Sequence, residues 1–416
     1  MKLQSVYRHY WPDTAPYASI LRAILEERAR LGDDVCVLTG QPSYNDNRLP
    51  ARPRQEVVGG VRVRRFRLPP ERKRSLGARA GSLLWFLARA GVAVAAHESP
   101  DLILVNGHPP VGMGFFARAM RRWHGVPYVY HCQDIHPEAL LVGGHVRPGR
   151  MFRLLRSLDT QTCMGAAAVV VLSDDMRKTM LGRGIPDEKL VVINNFALEA
   201  DAGDSSDEVA ELLQPVPADA FVVLFAGNLG NFQGLDALVE AAQLLAARRD
   251  IQFVFMGSGL ARERLERAAG DLVGETIHFV GQRSVSVARD TMAISGIGVV
   301  SLLPGVCRVA YPSKLMTYVA SGCPVLAVVE PDSSVAADVA DGQLGYVCGG
   351  QTPRAIATAI EHACNDRARW NAAGRAALCD RAEARFGRAT ALAKWAQLLE
   401  AQIPRMQGRS RASEAQ

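Results

Sequence analysis

The sequence predicts an α/β protein of two doubly wound, parallel-sheet domains. Three observations carry that prediction. Each half repeats a strand–loop–helix–strand pattern. In the first half it runs from Leu3 to Tyr7, through a turn-rich loop, along Ser19 to Arg30, and into Val35 to Thr39. In the second it runs from Phe221 to Phe225, through Gly227 to Leu235, and on to Ile251 to Met256. Second, several strand runs are continuously apolar, among them Leu102 to Val105 and Pro324 to Val329, as in strands covered on both faces. Third, Glu199 to Asp219 turns acidic and Ser/Pro-containing, which marks a boundary between the halves. A chain of 416 residues is long enough for two such domains.

Composition is that of a globular protein able to bury large cores: 48% hydrophobic and 22% charged. The formal net charge of +6 fits anionic small ligands or an acidic membrane surface. The eight Cys residues show no C-x-x-C pair and no zinc-type spacing, so they read as small core residues of a reducing cytosol. Met1 to Tyr10 carries Lys2, Arg8 and His9 in a strand-like run, unlike a secretory signal. No charge-free apolar run reaches the length of a membrane span. A cytoplasmic protein, with peripheral contact to the inner membrane, is the expectation.

In the first half, His9 to Tyr17 forms a loop beyond the first strand, placed at a cleft because ligands bind at the carboxyl ends of strands in such sheets. Gln41 to Asn45 follows the second strand and lines the same crevice. Arg62 to Arg67 alternates Arg with Val and Phe, as an edge strand with a basic outer face would. Glu71-Arg72-Lys73-Arg74 leads into a helix over Ser75 to Ala96 that contains Leu83, Leu84, Trp85, Phe86 and Leu87. Two readings stand: a solvated turn before a core helix, or docking on a membrane surface. Another strand, Tyr128 to His131, runs into His131-Cys132-Gln133-Asp134-Ile135-His136-Pro137-Glu138, the densest polar cluster at a strand end in this half. His131 reads either as a cleft residue or as a structural strand cap. His108 and His136 are further candidates.

The second half turns on Ile297 to Val328, read as strand, loop, helix and strand. Pro312 stands in the first turn of the helix, with Ser313 and Lys314 beside it. Gly322 stops the helix. A helix start has free N–H groups and a positive dipole end, so it can hold a phosphate, and Lys314 adds a point charge. The Gly-spaced loop Gly227-Asn228-Leu229-Gly230-Asn231-Phe232-Gln233-Gly234 lies between a strand and a helix, where backbone can approach a diphosphate. Gly257-Ser258-Gly259 opens the next helix after its own strand, and Gly281-Gln282-Arg283 follows another.

YPSKLMTYVASGCPVLA resembles the PSK…E-Y-x-A-x-G-x-P-V signature of glycosyltransferase family 4, in its bacterial exopolysaccharide, capsule and O-antigen branch. Gly227 to Leu235 resembles that family's G-N-x-G-x-x-Q-G-L, and His131, Asp134, Pro137 and Glu138 match its H-x-x-D-x-x-P-E. The resemblance implies the GT-B architecture, two Rossmann-like domains across a cleft. The implied domains are an acceptor-side domain over 1–198 and a nucleotide-sugar domain over 199–386. A crossover helix over 387–403 returns to the first domain, and a disordered tail spans 404–416. It implies a retaining, metal-independent enzyme that moves a sugar from a nucleotide-sugar donor to a lipid-linked saccharide acceptor in cell-surface polysaccharide synthesis. The catalytic candidates are His131, Asp134 and Lys314. The donor-binding candidates are Gly227, Asn228, Gln233, Gly257, Ser258, Gly259, Gln282, Arg283, Arg308, Ser313 and Thr317. No cofactor, metal or nucleic-acid partner is expected. Arg283 also reads as a solvated loop charge.

The chain departs from the family at several points. Ala15-Pro16 replace two glycines of the first loop. Asn228 and Gln233 stand where many relatives place Arg and Lys, which leaves Lys314, Arg308 and Arg283 as substitutes. Val309 and Thr317 stand where relatives carry two glutamates. Thr317 can still hydrogen-bond a ribose hydroxyl; Val309 cannot. Two alternatives therefore stay beside the transferase: a catalytically silent GT-B subunit and a GT-B sugar-nucleotide epimerase.

Overall fold

The computed structural model describes residues 1–13, 16–42, 50–69, 76–96, 100–109, 111–144, 146–197 and 205–402. The expected basic turn at 71–74, residues 43–45 of the second loop and the tail from 404 lie outside them. In the first domain the apolar runs form β1 (Lys2–Val6), α1 (Pro16–Arg30), β2 (Asp34–Gly40), β3 (Gln55–Val58), β4 (Val61–Phe66), α2 (Leu76–Ala96) and β5 (Leu102–Asn106). They continue as α3 (Gly112–His124), β6 (Tyr128–His131), α4 (Glu138–Val142), α5 (Arg150–Gly165), β7 (Ala168–Val171), α6 (Asp174–Leu181) and β8 (Leu190–Val192). The sheet order is β3-β4-β2-β1-β5-β6-β7-β8. Every pair is parallel except the antiparallel β3/β4 hairpin. The expected edge strand, β4, is thus an inner strand, and β3 is the edge. The reason is that Arg65 is not solvated: its guanidinium bonds Glu56 of β3 at 2.7 Å and the Trp11 carbonyl at 2.9 Å.

The acidic boundary is also partly folded. It contains α7 (Ser206–Leu212), which packs on the second domain. That domain continues as β9 (Phe221–Ala226), α8 (Leu235–Leu244), β10 (Ile251–Met256), α9 (Arg262–Ala269), β11 (Ile277–Gly281), α10 (Val285–Ile294) and β12 (Ile297–Ser301). It ends in α11 (Lys314–Ala320), β13 (Val325–Val328), α12 (Ser334–Asp341), β14 (Gly345–Val347), α13 (Pro353–Asn365), α14 (Ala372–Phe386) and α15 (Arg388–Ala401). The order β11-β10-β9-β12-β13-β14 is wholly parallel. Chain progression reverses between β1 and β5 in one sheet and between β9 and β12 in the other. Crevices open at such switch points, outside the carboxyl ends of the strands.

The two domains are joined by more than the linker. One buried apolar cluster runs from Met113, Tyr130 and Ile135 of the first domain to Val306, Val309 and Leu315 of the second. The Ile135 N–H donates to the Val309 carbonyl at 2.7 Å, and Asp134 and Ala310 form an antiparallel bridge. The Thr179 hydroxyl donates to the Arg308 carbonyl at 2.7 Å. At the starts of α6 and α12 the Ser334 N–H donates to the Asp175 carboxylate at 2.6 Å. The Asp175 N–H returns a bond to the Ser334 hydroxyl at 3.2 Å. Each helix start thereby satisfies an amide of the other.

Helix α15 crosses back onto the first domain. Its Trp395 is buried against the β1–α1 core, and its Glu400 accepts from Arg28 of α1 at 2.7 Å.

The loop after β6 is anchored from beneath. Arg183 donates to Asp159 at 2.6 Å, to Glu138 at 3.0 Å and to the His136 carbonyl at 2.8 Å. Tyr130 adds a bond to Asp159 at 2.9 Å. Removing the cation alone leaves Asp159 charged in a site 1% exposed. Arg183→Met is therefore expected to cost about 3–5 kcal/mol of stability, read from the urea midpoint at unchanged m.

Candidate active site

The second domain's half of the site is made by two glycine loops pressed together. Gly227, after β9, has φ +139°, and Gly257, after β10, has φ +145°. A Cβ on Gly257 would stand 1.9 Å from the Gly227 carbonyl oxygen, and one on Gly259 2.3 Å from that of Leu229. Only glycine admits this approach. Backbone bonds hold it: Leu229 N–H to the Ser258 carbonyl at 2.9 Å, and Gly257 N–H to that of Gly281 at 2.8 Å.

Lys314 reaches this junction from the start of α11. Its Nζ lies 3.6 Å from the Phe225 ring centroid and 3.4 Å from where a Gly227 Cβ would be. The amine is sealed from water and has no hydrogen-bond partner among the described residues. Burial pushes its pKa down to about 7. A cation–π contact stabilises an ammonium, but an ammonium has three donors to satisfy. The Gln233 amide oxygen is likewise buried and unbonded among the described residues. Asn228 and Gln233 converge beside Gly230, whose Cβ would lie 2.8 Å from the Asn228 amide nitrogen and 3.1 Å from the Gln233 amide oxygen.

Helix α11 is seven residues long and its first residue is Lys314; Ser313 is an exposed cap position without a side-chain bond. So short a helix has a modest dipole, and the electrostatics of this pocket come chiefly from the lysine. Thr317 follows one turn later and is half-buried. Ser258 is exposed and donates to the Gln282 amide oxygen at 3.2 Å, which joins the second glycine loop to the loop after β11. Arg283 is exposed and points to the linker helix, 3.9 Å from Glu208 of α7. Arg308 is exposed and 4.0 Å from Glu330. Neither arginine is brought to Lys314 by any contact described here. Val309 turns its side chain into the shared core.

On the first-domain side the H-x-x-D-x-x-P-E residues separate by role. His131 is 1% exposed; its Nδ1 pairs with the Tyr7 hydroxyl at 3.0 Å and its Nε2 with Gln133 at 2.6 Å. The Trp395 ring meets it edge-on, 4.8 Å between centroids. Burial drives its pKa down to about 3, so it is neutral near pH 7. His131 is thus a strand-end histidine bound on both nitrogens, and of the two readings the structural one fits. Glu138 is spent on Arg183. Asp134 is different. It faces solvent, yet protein stands around it where the domains bridge, and lost hydration raises its pKa to about 6.

At the β1/β5 switch point the expected cleft loop His9 to Tyr17 and the candidate His108 come together, with a His9–Asp13 pair that the sequence reading did not single out. His9 Nδ1 pairs with the Asp13 carboxylate at 2.6 Å, and both are buried. The rings of His9, Tyr17 and His108 lie 5.9 to 6.5 Å apart. Gly107 connects it to the cleft, since a Cβ there would stand 3.9 Å from the Asp134 carbonyl. The signal was present: a His and an Asp four residues apart, just beyond the first strand.

Comparison with known proteins places the chain in a family. Residues 17–195 match the model of the glycosyl transferase 4-like domain, and residues 220–366 match that of the glycosyl transferases group 1. The chain is 24% identical over 301 residues to a probable glycosyltransferase, WbjE, of Pseudomonas aeruginosa, covering 72% of this chain and 75% of that one. It is 23% identical over 376 residues to the putative colanic acid biosynthesis glycosyl transferase WcaI of Escherichia coli K12, covering 87% and 88%. The structure of HepE of Anabaena in complex with UDP-glucose superposes with a TM-score of 0.67 at 17% identity, covering 96% of this chain and all of the other. At that identity the likeness speaks for the fold. With both halves matched in order, the chain belongs to the GT-B glycosyltransferases built from a 4-like domain and a group 1 domain, in the bacterial polysaccharide branch.

Proposed function

We propose that this glycosyltransferase seats the diphosphate of a nucleotide-sugar donor against Lys314, Gly227 and the second glycine loop, and passes the sugar to a lipid-linked saccharide held on the Asp134 side. The observation that carries the reading is the sealed amine of Lys314, without a hydrogen-bond partner among the described residues, beside two glycine loops. A buried cation is costly alone and is stabilised by an anion. As the bond between the sugar and the phosphate breaks, charge grows on the departing diphosphate. Lys314, once its amine turns toward the ligand, and the loop N–H groups would offset it. That assigns the work to electrostatics, in keeping with the retaining, metal-independent chemistry that the family resemblance implies. Asn228, Gln233 and Thr317 are neutral and would bond donor oxygens and hydroxyls. Because HepE is seen with UDP-glucose, a uridine diphosphate sugar is the first donor to try.

Asp134 is assigned to a hydroxyl at the cleft, with His108 and the His9–Asp13 pair on the acceptor side. His131 is assigned to positioning: it fixes the end of β6 and so the backbone that carries Asp134. The enzyme is expected to work in the cytoplasm with peripheral contact to the inner membrane. No helix among the described residues is long and apolar enough to cross a membrane. The silent-subunit and epimerase alternatives are not favoured, since the matched relatives are named glycosyltransferases.

The functional test is transfer of label from radiolabelled nucleotide sugars to bacterial lipid extract. Label in lipid with one donor supports the reading; no label with any donor overturns it.

Lys314 gives a sharper test. Its folded pKa, about 7, lies below its ordinary 10.5, so the folded state is penalised most below pH 7 and gains stability as pH rises toward 10.5. Lys314→Met should therefore raise the Tm of the free protein at pH 7 and shrink the Tm increase that UDP gives. UDP binding to the native protein should take up protons between pH 7 and 9, measured by calorimetry in buffers of different ionisation enthalpy. Lys314→Ala should weaken UDP by about tenfold or more.

Asp134 must be ionised to accept a hydroxyl proton or bond, so activity should fall as pH drops through about 6. Asp134→Asn should lower kcat by roughly 10²-fold and remove that acid limb. A pH profile unchanged by the substitution would remove Asp134 from the site.

A further inference from the structure

A groove of about 800 Å³ lies outside the cleft, along the β14 edge of the second sheet. Its floor is β14 itself. The Val325 N–H donates to the Leu344 carbonyl and the Cys348 N–H to the Ala327 carbonyl, so backbone at 344 and 348 bonds inward to β13. Alternation along the strand turns the N–H and C=O groups of Gly345 and Val347 outward, and both residues line the groove. The walls are made of small side chains: Ala340 from α12, and Ala355 and Ala359, one turn apart, from α13. The strand is pinned at Tyr346, whose hydroxyl donates to Asp366 at 2.6 Å and accepts from the Trp370 indole at 2.9 Å.

Proteins usually blunt such an edge with Lys, Pro or a bulge. The opposite edge of this sheet, β11, has a register shift against β10. The run from Gly345 to Gly350, GYVCGG, has no charge and no proline, and β14 pairs with β13 without a shift. The charges at its two ends differ in sign. Asp341 ends α12 beside the amino end of β14, and Arg354 stands in the first turn of α13 beside the carboxyl end. Both are exposed, and neither forms an ion pair among the described residues.

We propose that β14 pairs with β14 of a second copy of this chain, antiparallel about a two-fold axis, so that two six-stranded sheets continue into one. An antiparallel mate brings the amino end of one strand to the carboxyl end of the other, which sets Asp341 against Arg354 at both ends of the contact. A parallel mate would set Asp341 beside Asp341 and Arg354 beside Arg354. The outward groups of Gly345 and Val347 gain partners, and Ala355 and Ala359 let α13 approach its mate. Exposed ion pairs add little affinity, so the charges fix direction and register while backbone bonds and apolar contact hold the pair. The other occupant of an open edge, an unrelated extended peptide, has no symmetry that answers both end charges. The contact lies three positions from β9 in the sheet and is independent of the donor assignment.

The test is sedimentation equilibrium of the full chain over a range of protein and salt concentrations. A dimer is expected, and it should weaken as salt is added. Asp341→Arg alone, or Arg354→Asp alone, sets like charges together at both ends and should weaken the dimer at least about tenfold. The chain carrying both reversals should dimerise as the unaltered chain does, because each end again joins opposite charges. Val347→Pro removes an outward N–H and should leave a monomer. Should that variant fold poorly, the charge series decides, since both its positions are exposed. The UDP-induced Tm shift should be the same throughout that series. An unaltered chain that stays monomeric, a dimer indifferent to the single reversals, or no recovery in the double reversal would overturn the interface.

Discussion

The buried amine of Lys314 organises the loops at which we place the donor. Lys314 is held over the Phe225 ring and against Gly227, in a space that exists because two loops lack side chains where they cross. The geometry is demanding. Strand β9 must deliver Phe225 and Gly227 in succession, and β12 must lead into a loop that returns the chain at Lys314. The β9/β12 switch point does both, since it sets these two carboxyl ends next to each other. The parallel order of the second sheet is thus a precondition of the charge, and the charge gives the sheet its chemistry.

The two domains solve different problems around the cleft. In the function we propose, the second supplies neutral amides, backbone and one cation to an anionic ligand. The first supplies a carboxyl whose hydration is reduced, at Asp134, above a buried ion network. Arg183 in that network ties the start of α4 to α5 and so fixes the loop between β6 and α4. Its value lies in position rather than in net stabilisation, because a buried ion pair gains little over apolar packing.

Much of this was legible in the chain. Alternating strand and helix patterns placed both sheets, and the Gly227 and Gly257 loops announced their close backbone approach. Lys314 was legible because it follows a proline at a helix start. What was not legible depended on distant partners. Arg65 read as solvated until Glu56 of the neighbouring strand took it, which moved β4 inside the sheet. His131 matched a cleft motif, but Trp395 covers it from a helix more than 250 positions later in the chain, and no local pattern contains that contact. Arg283 and Arg308 looked like replacements for missing basic residues. In the structure each is exposed and lies near an acid, Glu208 at 3.9 Å and Glu330 at 4.0 Å. The His9–Asp13 pair was local, but its weight comes from His108 at the end of a different strand.

The mutual caps at Asp175 and Ser334 bear on how the cleft can open. Each helix start completes a hydrogen bond with the other across the domain boundary. Parting the domains breaks both bonds in one event, so two first turns lose a partner together. Opening is thereby cooperative at its outset, with a threshold rather than a smooth compliance.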